Sequence, residues 1–412
     1  MVMLLDWLIV GGGIHGTFLS NYLLKRKGVD RDKLAVLDNQ AKPLANWLQQ
    51  TDAVAMKYLR SPVEHNLDVG GQALRKWSHD NNIPDTDLYS KYDRPSLRSF
   101  NSHALELIDR NQLESLRIIG AAKVLSKHKE NYLLKTDDPD LVLSAKNVII
   151  CTGQANRLAI PAWARLSCKI ESAPIVHLFD KRYQTICKTV NDGHIVIIGG
   201  GISAVQAALS LSEKHPGKVV LLHRYPLQTY QFDADPCWLS TRCLSLLRQT
   251  KNLTHRRRIV EGARHKGSFP SDIAKQLDAA LDLGQLRCHL GEVSCFDHHE
   301  HLLNLVCGKK LPCDLLVLAT GFAENSTSDF VRDSMQALNL KATPCGIPEI
   351  DYFLRADKGL FVSGPLAELE LGPAARNIVG ARIAAERICQ IGRSKKPHPK
   401  EYNYYFMASK RG

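Results

Sequence analysis

Two stretches of this sequence carry residues whose types and spacing suit the binding of a phosphate-bearing cofactor. Gly11, Gly13 and Gly16 stand in the pattern G-x-G-x-x-G, and Asp38 follows the last of them by about 20 residues. In such a pattern the first glycine permits a tight turn and the second lets backbone amides approach a pyrophosphate. The third lets the helix pack closely on its strand. The helix start then adds unpaired N–H groups and about half a positive charge, while a carboxylate at Asp38 can accept hydrogen bonds from ribose hydroxyls. Gly199, Gly201 and Ala204 repeat the motif as G-x-G-x-x-A, with Ser203 inside it, but the strand after this copy ends in His223-Arg224. A guanidinium there pairs bidentately with a 2′-phosphate that a carboxylate would repel. The second site is therefore expected to take NADPH rather than NADH.

These motifs need strands before them and helices after them, and the sequence supplies both twice. Trp7 to Val10 and Ile195 to Ile198 are apolar runs of strand length. Helical apolar spacing follows each, at Phe18, Leu19, Tyr22 and Leu23 in the first copy and at Val205, Ala208, Leu209 and Leu211 in the second. Second strands are expected at Lys33 to Asp38 and Lys218 to His223, so each copy reads as a β-α-β unit opening a parallel sheet. Two further runs, Val148 to Cys151 and Leu315 to Ala319, end in Thr152-Gly153 and Thr320-Gly321. Weaker strand-turn-strand patterns precede them near 121 to 136 and 292 to 310. Leu360 to Val362 reads as a strand before a Gly364-Pro365 loop, and a last helix is expected from about Pro373.

The 412 residues suffice for two or three domains, and 44% hydrophobic with 23% charged residues is a globular balance. No run reaches the roughly 18 to 20 apolar residues of a membrane span. Eleven cysteines without a C-x-x-C pair read as reduced thiols in a cytoplasmic protein. The net charge of +12 invites an anionic partner. Arg256-Arg257-Arg258, Lys309-Lys310, Lys395-Lys396 and Lys410-Arg411 come without a zinc-finger, KH or RNP signature, so solvated surface is expected rather than nucleic-acid binding. Asp297-His298-His299-Glu300-His301 reads as a polar hairpin turn rather than a metal site.

Two fingerprints in this order, the Thr-Gly strand ends and the C-terminal Gly-Pro-helix segment together resemble the two-dinucleotide-domain flavoproteins. Within these the chain most resembles the flavin-dependent N-hydroxylating monooxygenases of lysine and ornithine. The resemblance implies an α/β fold of two Rossmann-like domains, the second inserted in the first. FAD is then expected at the first fingerprint and NADPH at the second, with Gly153, Gly321, Gly364 and Pro365 as further cofactor contacts. We expect residues 1–165 and 312–392 to form the FAD domain, 166–311 the NADPH domain, and 393–412 a basic tail.

By the same resemblance, Trp47 keeps one residue of a Gly-Gly-Trp element beside the flavin, with a core tryptophan as the alternative. Met56 and Arg60 fall on a loop that relatives bring to the flavin and nicotinamide. His177 stands near the histidine of the monooxygenase signature, or is structural. Arg376 and Asn377 begin the last helix, whose dipole would face the N1/O2 edge of a reduced flavin.

Substrate contacts are expected among His65, Asn66, Gln231, Phe232 and Asp233. The implied activity is oxygen-dependent N-hydroxylation of a small-molecule amine through a flavin C4a-hydroperoxide. A pocket of low polarity would favour the neutral amine, whose reference pKa is about 10.4. Two alternatives stay open: a reductase or oxidase passing electrons to a quinone, a protein or oxygen, and a non-catalytic flavin-bound redox sensor. Disulfide-reductase chemistry is disfavoured, since Cys237/Cys243 and Cys307/Cys313 read as buried thiols. Many relatives form oligomers, but no interface signal stands out here.

Overall fold

A computed structural model describes residues 4–390 apart from 91, 154–156, 171–172 and 324–326. The basic segment expected at 393–412 lies outside the described residues.

The apolar run Leu4–Val10 is a strand flanked in parallel by Leu34–Asp38 on one side and Val142–Ile150 on the other. Both flanks are needed, because a buried strand edge without a neighbour would leave its backbone N–H and C=O groups unpaired. The sheet extends through Arg117–Ile119 at one edge and through Leu360–Val362 and Arg355–Asp357 at the other. The strand Val142–Ile150 is long enough to serve twice. Its first half pairs antiparallel with the hairpin Ala122–His128/Asn131–Thr136, and its second half lies in the parallel sheet. The helices Ile14–Tyr22 and Ile378–Cys389 pack against each other, their buried residues sharing one core with this sheet.

The second sheet is parallel throughout, in the order Leu286–Leu290, Val219–His223, Ile195–Ile198, Leu315–Leu318, Ile175–His177. It corrects one expected boundary. Leu315–Leu318, placed after the return to the first domain at 311/312, pairs with Ile195–Ile198 instead, all four of its residues buried. The chain therefore leaves this sheet only after Leu318. Residues 297–301 form the expected polar turn, in which Asp297 Oδ1 accepts from the backbone N–H groups of His299 and Glu300, both at 3.1 Å.

Between Val219–His223 and the helix Ser271–Asp282 lies a helical insertion: the turn Pro236–Leu239 and the helices Thr241–Gln249 and Leu253–Gly262. It has a small core of its own, built on Trp238, Leu244, Leu247 and Val260. Here the cysteine expectation fails at one pair, because Cys237 and Cys243 are joined by a disulfide. Of the second pair, Cys313 is buried but Cys307 is exposed.

The two halves are held together by arginines. Arg94, almost fully buried, donates from Nε to Leu59 O at 2.7 Å and from Nη1 to Asp272 Oδ1 at 2.8 Å. Removing one member of such a buried pair strands the other charge, a loss of about 3–5 kcal/mol. Arg256 pairs with Glu370, and Arg257 with Glu368, from the insertion to the C-terminal segment. Two of the three arginines expected on solvated surface are thus turned inward.

Candidate functional site

At the first fingerprint the glycines are demanded by space. A Cβ on Gly16 would lie 1.8 Å from Gly11 O, and Gly11 has φ +110° with Cys151 O 2.9 Å from its would-be Cβ. Gly13, by contrast, faces open space within 4 Å. A closed turn behind and an open approach in front is the cradle a pyrophosphate requires, so the residues present fit FAD at this site. Asp38 ends its strand as expected and is held by three groups. Gly12 N and Gln40 N donate to it, the latter at 2.7 Å, and Arg117 Nη2 lies 3.7 Å away. A carboxylate has about four acceptor positions, so ribose hydroxyls can still be bound.

His15, inside the same motif, was missed in the sequence. Its Nε2 lies 3.2 Å from the Asn377 carbonyl and must donate to it, which leaves Nδ1, 2.8 Å from Ser363 Oγ, as acceptor. Desolvation lowers its pKa to about 4 against a smaller opposing contribution from that carbonyl bond, so the ring is neutral. The cofactor loop is thereby joined to the cap of the last helix.

The second fingerprint opens into a cleft of about 970 Å³. Gly199, Gly201, Ser203, Ala204, Arg224 and Gly321 line it, as do Arg60, Asp233 and Arg376. Gly199 has φ +152° and its Cβ would meet Ala319 O at 2.4 Å. The Gly201 position is looser, with Gly267 Cα the nearest atom at 3.5 Å. Arg224 rests over the Tyr225 ring at 4.9 Å, on a wall that also carries Arg264, His265 and Lys266. That concentration of cations suits a polyanionic nucleotide.

Several expected residues have other work. The Arg60 guanidinium is bound to the second half, donating to Gln231 O (2.9 Å), Tyr230 O (2.8 Å), Ser268 O (3.3 Å) and Ser268 Oγ (2.9 Å). Desolvation pulls its pKa down to about 10; Asp233 opposes the fall, and Arg94 and Arg264 add to it. Arg60 thus shapes the cleft as a clamp. Met56 packs against the cores of both halves, at their junction. Trp47 donates from Nε1 to Asn101 Oδ1 at 2.9 Å and packs on Phe100.

Asn66 is buried and spends its amide on Val63 O, Glu64 O and Gly71 O while accepting from Asp68 N. It staples its own loop and is not among the cleft-lining residues. His65, beside it, is lowered to about 4 by burial and then by Arg382. His177 is buried in the second half, accepts from Phe179 N at 3.1 Å, and is lowered to about 4, chiefly by desolvation.

The last helix also starts later than expected. Gly372–Arg376 is a 3₁₀ turn, and Asn377, extended at φ −95° and ψ 167°, is the N-cap of Ile378–Cys389. The start of this turn admits only glycine, because Gly372 sits at φ +66° with Trp238 Cε3 only 2.8 Å from its would-be Cβ. Asn377 Nδ2 donates to Asp233 Oδ1 at 3.2 Å, so two expected residues from opposite halves meet. Arg376 is ion-paired: its Nε lies 2.8 Å from Glu368 Oε2, and Arg257 binds the same carboxylate. This Arg257–Glu368–Arg376 wall divides the cleft from a smaller cavity lined by Thr152, Gly153, Arg157 and Pro365. Glu368 escaped the sequence reading, although two acids in the otherwise apolar run Leu366 to Leu371 were the available signal.

Two sheets with parallel cores, each opened by a glycine fingerprint, with the second sheet's cleft reaching Arg60, Glu368 and Arg376 of the other half, define a two-dinucleotide α/β oxidoreductase. The chain belongs to the pyridine nucleotide-disulphide oxidoreductase family, which its residues 5–380 match. No curated protein sequence matches it. Among solved structures it is similar to an ornithine hydroxylase from Pseudomonas aeruginosa, with a TM-score of 0.73 and 14% identity over 94% of this chain and 99% of that one. The FAD-bound cadaverine monooxygenase from Erwinia amylovora gives a TM-score of 0.74 and 13% identity over 96% of both chains. An ornithine N-hydroxylase from Kutzneria, solved with reduced FAD, NADP+ and L-ornithine, gives 0.73 and 13% over 93% of this chain and 97% of that one. At such identities the likeness establishes the shared fold. Among the described residues, no helix is long and apolar enough to cross a membrane.

Proposed function

We propose that this chain is an FAD-dependent, NADPH-using monooxygenase that N-hydroxylates a small-molecule amine with molecular oxygen. The observation that carries this reading is the pairing of a glycine cradle at Gly11, Gly13 and Gly16 with a cationic cleft at Arg224. The cleft reaches Arg376 and Asp233, and Asn377 adjoins it through Asp233. Bound FAD would supply two-electron redox chemistry, accepting hydride from NADPH and activating molecular oxygen, one atom of which would go to the amine nitrogen and the other to water. The protein's part is to hold both cofactors and keep water from the reacting centre. Gly13 and the N-terminus of Ile14–Tyr22 hold the flavin's pyrophosphate, and Arg224 reads the 2′-phosphate of NADPH. Gly153 and Pro365, which line the smaller cavity with Arg376, would extend the first cofactor's site together with Gly364.

Two of the similar structures are ornithine hydroxylases and one is a cadaverine monooxygenase. A terminal alkylamine is therefore the substrate class we assign. A disulfide reductase with its cysteine pair beside the flavin is not favoured, because neither Cys237 nor Cys243 lines the cleft. The deciding experiment follows NADPH oxidation with purified, flavin-loaded protein across a series of diamines and diamino acids. Hydroxylamine formed in proportion to NADPH for one amine is the expected result. Hydrogen peroxide in full yield whatever the amine refutes the proposal.

A further inference from the structure

The helical insertion touches the wall of the cleft at two places, and its disulfide lies beside one of them. Cys237 belongs to the turn Pro236–Leu239 and Cys243 to the first turn of Thr241–Gln249. Between them sits Trp238, whose ring lies against Gly372; Leu244, next to Cys243, lies against the same glycine. Gly372 opens the tight turn that ends at Arg376 and Asn377. The second contact is made by Leu253–Gly262, which carries Arg257 to Glu368. The insertion's own core has only four buried residues, with both bonded cysteines packed at its margin. So small a core holds its shape weakly, and local opening there requires far less free energy than unfolding the sheets. Both cysteines are half-buried, whereas a sealed core disulfide would be closed to a thiolate.

We propose that Cys237 and Cys243 form a thiol–disulfide modification site, taking a small dithiol or protein dithiol as reductant, whose state sets the Arg257–Glu368–Arg376 wall of the nucleotide cleft. A thiolate of the reductant attacks one sulfur, the Cys237–Cys243 bond breaks, and a mixed disulfide forms. The reductant's second thiol then displaces the remaining cysteine. Two electrons pass from the dithiol, which leaves as its own disulfide, and each cysteine ends with one proton. With the bond gone, the turn carrying Trp238 is no longer tied to the helix behind it. Gly372 loses its cover, and the segment presenting Arg376 and Asn377 is released. None of the other nine cysteines is joined in a disulfide, so the effect of a reductant is assigned to this one bond.

This inference rests on the cleft being the NADPH site, and the test separates the two. Alkylation and mass mapping of the flavin-loaded protein, as isolated without reductant, should find Cys237 and Cys243 protected and then labelled after dithiothreitol. Reduction should raise the Kd of NADPH, measured by flavin or tryptophan fluorescence, by about tenfold at unchanged flavin content, the scale of one charged hydrogen bond. Reduction should also speed proteolysis within residues 231–267. Cys237→Ser/Cys243→Ser should behave like the reduced protein and ignore dithiothreitol. Reduction of the wild type reads the same effect should that variant fail to fold, and reoxidation with oxidised glutathione should restore the original Kd. Free thiols at both positions in the protein as isolated, or equal NADPH affinity and equal proteolysis in both states, overturn the proposal. State-dependent proteolysis without NADPH binding in either state would uphold the site and refute the nucleotide reading instead.

Discussion

The two fingerprints share a sequence plan and differ at three matched places. Gly16 corresponds to Ala204, His15 to Ser203, and Asp38 to the His223-Arg224 pair. At the first, Gly16 has no room for even a methyl group, His15 is tied to Ser363 and Asn377, and Asp38 is held by Gly12, Gln40 and Arg117. At the second, an alanine is already accommodated, Ser203 lines an open cleft, and Arg224 rests only on a tyrosine ring among the contacts resolved for it. The first motif is built into the core and the second onto a surface. A site whose polar groups are fixed in advance loses little entropy when its ligand binds, and suits a resident cofactor. A site of exposed cations suits a nucleotide that arrives and leaves.

The largest effect should come from the position that admits no atom. Gly16→Ala places a methyl group 1.8 Å from Gly11 O, a clash with backbone that no side-chain motion relieves. We expect no flavin-containing soluble protein, read by absorbance of the purified fraction. Gly201→Ala, whose nearest neighbour is at 3.5 Å, should purify with full flavin and lose only NADPH affinity. Equal flavin content in the two variants would erase the distinction between built-in and surface site.

Arg224→Ala comes next. Its KM for NADPH should rise by about tenfold or more, as expected for one desolvated phosphate pair, while that for NADH changes little. Equal changes for the two nucleotides would show that Arg224 does not read the 2′-phosphate.

How far this was legible in the sequence follows from which interactions are local. The strands, the glycine turns and Arg224 depend on neighbours within a β-α-β unit, and the patterns of apolar residues and glycines announce them. Glu368, Arg257, His15 and Arg117 each have a partner 77 to 362 positions away, as in Arg117 to Gln40, Arg257 to Glu368 and His15 to Asn377. No periodicity encodes such pairs. The misread helix start at Pro373 is of the same kind. Proline suits a first helical turn, but here it stands in a 3₁₀ turn whose first residue, Gly372, packs against Trp238, distant in sequence. Asn66 shows the opposite error, since a polar residue on a loop suggests a ligand contact, yet its amide is used up within five positions.

The two sites are joined through Asn377, which stands at the N-cap position of the last helix, receives His15 at its carbonyl and donates its amide to Asp233. Asn377→Asp leaves two carboxylates facing each other with no donor and should raise the KM for NADPH by about three- to tenfold, whereas Asp233→Asn keeps an amide oxygen that still accepts and should cost less. Made together, they exchange donor and acceptor and should recover most of that loss. A double variant no better than the worse single one would show that the two halves are positioned by the arginine clamps alone.

The smallest effect is on stability, and it too tests whether the first site is part of the core. His15 is neutral in the fold, its pKa lowered to about 4 from the ordinary 6.5. Its contribution is therefore complete above about pH 6.5 and is lost as the pH falls towards 4, because the unfolded chain takes up the proton first. His15→Gln keeps an N–H for the Asn377 carbonyl but cannot be protonated. Between pH 6.5 and 4 its thermal midpoint should fall less steeply than that of the wild type, by an amount equivalent to about 1–3 kcal/mol. His65 and His177, also lowered to about 4, remain in both proteins and supply the common acid-side slope. Parallel slopes would mean that His15 is solvated, and that the first fingerprint is no more built into the core than the second.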